Sequence, residues 1–403
     1  MNVDPDLLRR VRASPEIFEL IAAWRGSELA LQDRLRAEFP AELVRGALTL
    51  VELRRRAASK FTRAADMWFD RVGLEQSTGE AVARHKAQRF QRRGPVWDFC
   101  CGIGGDAIQI AAHTDVLAVD RDPAACLRAQ WNAEAYGTAD RFTALCADVE
   151  TLTERNALLH VDPDRRATRT ADSSRRSLKL EEGAPPLEVL QRFTHEFRGG
   201  AIKCSPASNF GGKFPQAEIE LVSLHGECKE ATVWFGELSE PGLWRATSLP
   251  SGESLAGDPL SVAAPVGELS RYLVDPDPAL VRSGLIDLYA DGHRLSRLDD
   301  AEEYLTGDAV PDSHLAQAFE VLAELPNNER EIRDYFRGSD VGSLEIKCRR
   351  IPIDIEAVRR KLTLNGASEG VLIFARIAGR ARAVVCRRVS AQSHATAPLG
   401  GGP

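Results

Sequence analysis

Val96-Trp97-Asp98-Phe99-Cys100-Cys101-Gly102-Ile103-Gly104-Gly105-Asp106 decides the fold: a short apolar run, an acid near its end, a glycine-rich turn, then the start of a periodic segment. That order predicts a strand over 96–100 and a helix over 104–113. Glycine at 102 and 104 removes side chains where a ligand would lie against the backbone. Outward from this turn, strand patterns at 116–119, 142–146, 158–161 and 201–204 alternate with helical patterns at 123–136 and 187–197. Such alternation predicts right-handed crossovers and a Rossmann-like α/β sheet with helices on both faces. Two extended runs, 219–223 and 230–235, flank Leu224-His225-Gly226-Glu227 and predict a late antiparallel hairpin.

The glycine spacing alone leaves the ligand open, because Gly102-x-Gly104-x-x-Ala107 also satisfies the dinucleotide fingerprint of an NAD-dependent oxidoreductase. Two carboxylates argue otherwise. Asp98 precedes the turn and Asp106 follows it; together they repel a pyrophosphate and suit the ammonium of S-adenosylmethionine. Asp120 closes the second strand, where an acid accepts ribose hydroxyls in either cofactor class. Asp148 is placed to accept from the adenine amine, with the Val149 N–H donating. Cys100, Gly105 and Arg121, in the same segments, complete the expected cofactor set.

Bulk properties bound the class. A chain of 403 residues fits two or three domains, and 43% apolar with 28% charged residues is ordinary for a globular protein. The apolar runs are too short to cross a bilayer, and the first residues carry no signal-peptide core, so a cytoplasmic location is expected. Eight scattered cysteines without a CxxC predict neither disulfides nor a metal site. The net charge of -7 disfavours indiscriminate coating of nucleic acid. It hides an asymmetry: 237–328 carries a net charge of -12 and 329–389 a net charge of +6. The basic segment is either a contact surface or a solvated face.

The expected organisation is a helical N-terminal region (1–94), a methyltransferase domain (95–240), a linker or extension (241–318), a smaller α/β domain (319–390) and a disordered tail (391–403). In the first region, helices are expected over 28–39, 41–61 and 81–90, with Ser27 and Pro40 at two starts. Pro, Gly and Ser accumulate at 241–265, and a single helix is expected over 278–289. In the last domain the pattern reads strand 320–324, helix 328–336, strand 343–348, helix 354–362, and strands 370–377 and 381–389.

The segments 98–109, 118–123 and 132–137 resemble the trimethylguanosine-synthase-like branch of class I methyltransferases. Thr78-Gly79-Glu80, followed by Ala83 and His85, is similar to the Thr-Pro-Glu entry of that branch. The segment 344–350, with Asp354 and 376–380, resembles the THUMP-like domain attached to bacterial methyltransferases. These likenesses imply a cofactor, S-adenosylmethionine, and an RNA substrate. In amino-directed relatives the fourth strand ends in an acid or Asn/Ser, two prolines and an aromatic. Here the place is Asp162-Pro163-Asp164-Arg165-Arg166, which keeps the Asp-Pro start and lacks the second Pro and the ring. Methyl transfer is an in-line displacement, so the protein must position the nucleophile and accept its proton. Asp162 is the expected acceptor, with Pro163 and Asp164 beside it. Arg165, Arg166 and Thr78 are the expected substrate contacts, and Ser205 is a weaker acceptor. Trp68, Phe69 and Phe210 are candidate stacking rings, though each fits a core position as well. A noncatalytic RNA-binding protein that keeps the cofactor fold is the alternative from another class.

Overall fold

The computed structural model describes residues 4–152, 156–164 and 180–389. They form two compact units that divide at Arg245/Ala246. The first begins with helices α1 (Pro5–Arg12), α2 (Pro15–Ala23), α3 (Glu28–Glu38) and α4 (Ala41–Ala57). Asp4 and Ser27 accept from the backbone N–H of Asp6 and Ala30, and Pro5 and Pro15 sit where a first turn needs no donor. The helix expected to reach residue 61 stops at Ala57, whose carbonyl turns back to accept from the N–H groups of both Lys60 and Phe61. Two short helices follow, α5 (Arg71–Gln76) and α6 (Glu80–Ala87). The buried sides of α1 to α4 share one core with Met67, Trp68 and Ile103, so the helical region packs directly on the glycine-rich turn.

Seven strands make the sheet of this unit: β1 (Val96–Phe99), β2 (Val116–Asp120), β3 (Phe142–Cys146), β4 (Leu158–Val161), β5 (Gly199–Cys204), β6 (Glu218–Leu224) and β7 (Glu227–Gly236). Their order is β3-β2-β1-β4-β5-β7-β6, parallel through β5, with β7 antiparallel to both neighbours. The crossovers use helices α7 (Gly105–Ala111), α8 (Pro123–Ala135) and α9 (Leu187–Glu196). The β6–β7 hairpin turns at His225 (φ 52°) and Gly226 (φ 75°), the double positive φ that matches strand twist.

The two faces of this sheet differ in chemistry. Trp97 and Phe99 project onto Phe193 and Phe197 of the α9 region, with ring centroids 5.3–6.2 Å apart, forming a dry aromatic layer. The alternate residues Asp98, His160, Lys203, Thr232 and Trp234 occupy the opposite face, where register pairs Asp98 with His160 and Lys203 with Thr232. Helix α6 covers that face with cations. Lys86 Nζ lies 2.5 Å from Glu230 Oε1 and 3.0 Å from Asp106 Oδ1. Arg89, stacked 4.3 Å from the Trp234 ring, pairs with Glu218 at 2.7 Å, and His85 meets Glu220 at 2.8 Å.

In the second unit the strand β8 (Trp244–Leu249) straddles the division and β9 (Glu253–Gly257) follows it. Then come β10 (Tyr272–Pro276), α10 (Pro278–Ser283), α11 (Ile286–His293), β11 (Ser296–Arg297), β12 (Leu305–Gly307), β13 (Ala316–Pro326), α12 (Glu329–Arg337), β14 (Val341–Cys348), α13 (Ile355–Lys361), β15 (Ser368–Ile377) and β16 (Arg380–Arg388). The sheet order is β11-β12-β10-β13-β16-β15-β14. The expected α/β pattern beyond residue 319 is present, with Asn328 and Asp354 capping α12 and α13. The expected linker is corrected: β8, β9 and β10 lie in it, and β10 pairs with β13 and β12. Its Pro and Gly sit at turns, such as Pro250 and Gly252 (φ 76°) between β8 and β9. The single helix expected over 278–289 breaks at Gly284, a left-handed cap.

The charge blocks of this unit meet each other. Lys347 and Arg349 reach Asp275 at 2.8 and 2.7 Å, Arg350 reaches Glu303 at 2.5 Å, and Arg382 and Arg387 reach Glu324 and Glu320 at 2.5 Å. Much of the basic segment is therefore paired with the acidic one.

Stability should report the Lys86 layer. Replacing Lys86 by Met leaves Asp106 and Glu230 buried without their cation, an expected loss of about 3–5 kcal/mol. Asp106 is depressed below its ordinary 3.8: burial opposes its charge, but Lys86, Lys203 and the hydrogen bond from Thr78 outweigh it. Its contribution is thus complete well above pH 3.8 and is lost as pH falls below that value. Urea unfolding across this range should show a steeper acid decline for the native protein than for Lys86→Met. Parallel curves would refute the assignment.

Candidate active site

The crest of the parallel sheet holds a cavity of about 570 Å³. Three acids from successive strand ends line it: Asp120 after β2, Asp148 after β3 and Asp162 after β4. Asp120 is held flat by two backbone donors, Gly102 N–H to Oδ2 and Asp122 N–H to Oδ1, both 2.9 Å. Each oxygen keeps a further lone pair for a hydroxyl. Burial raises the Asp120 pKa, and those two N–H groups offset part of the rise. Asp148 accepts from Glu150 N–H at 3.0 Å, which positions the buried Val149 at the wall. Asp162 Oδ2 accepts from Lys203 Nζ at 2.6 Å. Asp164 is fixed by paired backbone bonds with Ala184 and accepts from Gln76 Nε2 at 3.4 Å.

Of the expected cofactor residues, Cys100, Gly102, Asp120, Arg121, Asp148 and Val149 line the cavity, as do Asp162, Pro163 and Asp164. The two glycines separate in role. Gly102 (φ 55°) has open space where a Cβ would stand, so its missing side chain enlarges the cavity. Gly104 (φ 83°) has its Cβ position 3.2 Å from Ala129, so it serves helix packing. Gly105 packs on Ser77 and Thr78. Cys100 and Cys101 have thiol pKa values raised by burial, with Asp120 adding to the rise.

Asp98 and Asp106, expected to grip a cationic group together, are not among the residues that line the cavity. Asp98 is 1% exposed and its Oδ1 lies 2.5 Å from His160 Nδ1. Burial raises its pKa, and His160 offsets that only in part. His160 Nε2 accepts from Lys86 Nζ at 3.2 Å, which assigns the ring proton to Nδ1. Asp106 takes Lys86 and the Thr78 hydroxyl, the latter at 2.6 Å. Thr78 Oγ1 also lies 3.1 Å from Glu230 Oε2, and Thr78, an expected substrate contact, is buried and is not among the lining residues. Arg165 and Arg166 lie outside the described residues. Trp68, Phe69 and Phe210 are buried core rings against Trp131, Phe61 and Trp244. Among the described residues, no group of His, Cys, Asp or Glu is placed to hold a metal ion, and no helix is long and apolar enough to cross a membrane.

Sequence reasoning missed Lys86, Lys203, Gln76 and the Asp70–Arg128 pair, whose 3.0 Å bridge stands at the cavity wall. Lys203 and His160 had a signal: each interrupts an apolar strand buried on both sides.

Two Mycobacterium tuberculosis proteins, from different strains and each described as an uncharacterized S-adenosylmethionine-dependent methyltransferase, are 35% identical over 354 residues, covering 83% of this chain and 94% of theirs. The chain belongs to the S-adenosylmethionine-dependent methyltransferases. Residues 93–169 of this methyltransferase match the RNA cap guanine-N2 methyltransferase family, residues 316–388 a THUMP domain-like family, and residues 18–57 a domain of unknown function. A crystal structure of a methyltransferase candidate from Porphyromonas gingivalis has the same fold, with TM-score 0.78 and 19% identity over 97% of this chain and 100% of that one. The cofactor of this methyltransferase is S-adenosylmethionine, and the cavity suits that cation: the Gly102 gap admits a ligand against the backbone, and seven carboxylates against two arginines line the wall.

A matched pair of substitutions isolates the cradle. Gly102→Ala and Gly137→Ala both force a side chain into a left-handed residue with free space around it (φ 55° and 70°), at a cost of roughly 1–2 kcal/mol each. Only Gly102 lines the cavity. Calorimetry should show cofactor affinity at least about tenfold weaker (1.4 kcal/mol) in Gly102→Ala alone. Equal affinities would place the cofactor elsewhere.

Proposed function

We propose that this methyltransferase modifies a base of rRNA or tRNA, with Asp162 accepting the proton of the attacking group. The supporting observation is that Asp162 opens on the same cavity as Asp120 and Asp148, with one carboxylate oxygen tied to Lys203. In this reading Asp120 holds the ribose hydroxyls of the cofactor, and Asp148 and Val149 hold the adenine. Gly102 lets the ligand approach the turn. Bound S-adenosylmethionine supplies an electrophilic methyl group. Its transfer would form a bond from the base nucleophile to that carbon and leave the carbon–sulfur electron pair on sulfur, and Asp162 would take the proton that the nucleophile releases. Pro163 fixes the backbone between Asp162 and Asp164. The matches to an RNA cap guanine-N2 methyltransferase family and a THUMP domain-like family support RNA as the substrate class.

Nucleoside mass spectrometry of rRNA and tRNA, from cells with and without this gene, should show one methylated nucleoside lost. Complementation with Asp162→Asn should fail to restore it, since loss of a proton acceptor costs about 10²–10⁴-fold in rate. An unchanged nucleoside profile on deletion would overturn the RNA assignment, and full restoration by Asp162→Asn would overturn the role of Asp162.

A further inference from the structure

Beneath Asp162 lies a cation that the cavity does not expose. Lys203 is the penultimate residue of β5, one strand over from Asp162, and is 7% exposed. It is not among the residues that line the cavity. Its Nζ donates to Asp162 Oδ2 at 2.6 Å and to the Gln76 carbonyl at 3.2 Å. Burial acts against its charge, but Asp162, Asp106 and Glu230 outweigh burial and raise its pKa, so it stays an ammonium at neutral pH. The Gln76 side chain meanwhile donates to Asp164, so one residue braces both acids of the Asp-Pro-Asp segment.

We propose that Lys203 is a positioning residue for methyl transfer: with Gln76 it fixes Asp162 through Oδ2 and leaves Oδ1 for the proton of the substrate. The proposal rests on the reading of Asp162 as acceptor. An unanchored carboxylate at the end of a strand samples several rotamers, and only some direct an oxygen at the reacting group. A buried ammonium on one oxygen selects one orientation. Asp162 is faced by Lys203 from β5, by Asp98 from β1 and by the Cys100 thiol from the turn. Loss of Lys203 leaves Asp162 with those acidic neighbours alone, which favours its protonated form.

The test uses the full chain, tritiated S-adenosylmethionine and total RNA from cells lacking the gene, with cofactor affinity measured by calorimetry. Lys203→Met should bind cofactor within about threefold of the native protein. Its kcat should fall roughly 10–100-fold with little change in KM for RNA, and the acid limb of its pH profile should move to higher pH. Adding Lys203→Met to Asp162→Asn should cost nothing further, because the pair acts as one unit. If Lys203→Met loses cofactor binding through misfolding, Lys203→Arg is read instead. It keeps the cation, so its acid limb should stay in place, and a displaced limb would overturn the proposal. A native rate and profile in Lys203→Met, beside an impaired Asp162→Asn, would overturn the role of Lys203 and leave that of Asp162 standing. A native rate in Asp162→Asn would remove both.

Discussion

Everything at the sheet crest depends on one buried ammonium. Lys86 sits between Asp106 and Glu230, 2% exposed, and joins α6 to α7 and to β7. Taking a cation out of water costs several kcal/mol, which two carboxylates and an imidazole acceptor must offset. The arrangement is mutual: the ammonium depends on Asp106 and Glu230 for its partners, and they lose their closest cation without it. Its consequence is a division of labour among carboxylates. Those under the sheet's α6 face are consumed by internal partners, and those at the strand ends remain for ligands.

That division explains what could be read in the sequence. Asp120, Asp148 and Asp162 each follow a short apolar strand, so a strand end was enough to place them at the crest. The β6–β7 hairpin was equally legible, because His225-Gly226 between two extended runs fixes its turn. Asp98 and Asp106 flank the glycine turn just as plausibly, yet both point to the wrong side of it. Their fate depends on Lys86 and His160, which lie 12 and 62 positions from Asp98 in sequence, so no local pattern reveals it. The available hint was periodicity: Asp98, His160, Lys203 and Glu230 interrupt apolar strands at positions that share one face, and such interruptions demand partners.

The second unit gave a different lesson about charge. Blocks of net -12 and +6 looked like separate surfaces, but β10, β13, β14 and β16 bring them into one sheet. Arg349 is held by Asp275 and Glu303, and Arg387 by Glu320. Opposite charges separated in sequence thus act as a pairing code for strands. Net charge per segment overstates the positive field left for a polyanion.

The cavity itself sets a requirement on any RNA it admits. Asp162 and Asp70 are paired with Lys203 and Arg128, but Asp120, Asp122, Asp148 and Glu150 remain at the wall, with Arg121 beside them. A wall of this sign favours a sulfonium and repels phosphate. An RNA could therefore enter only base first, with its backbone held away from the acids. Binding energy for its backbone must then come from outside the cavity.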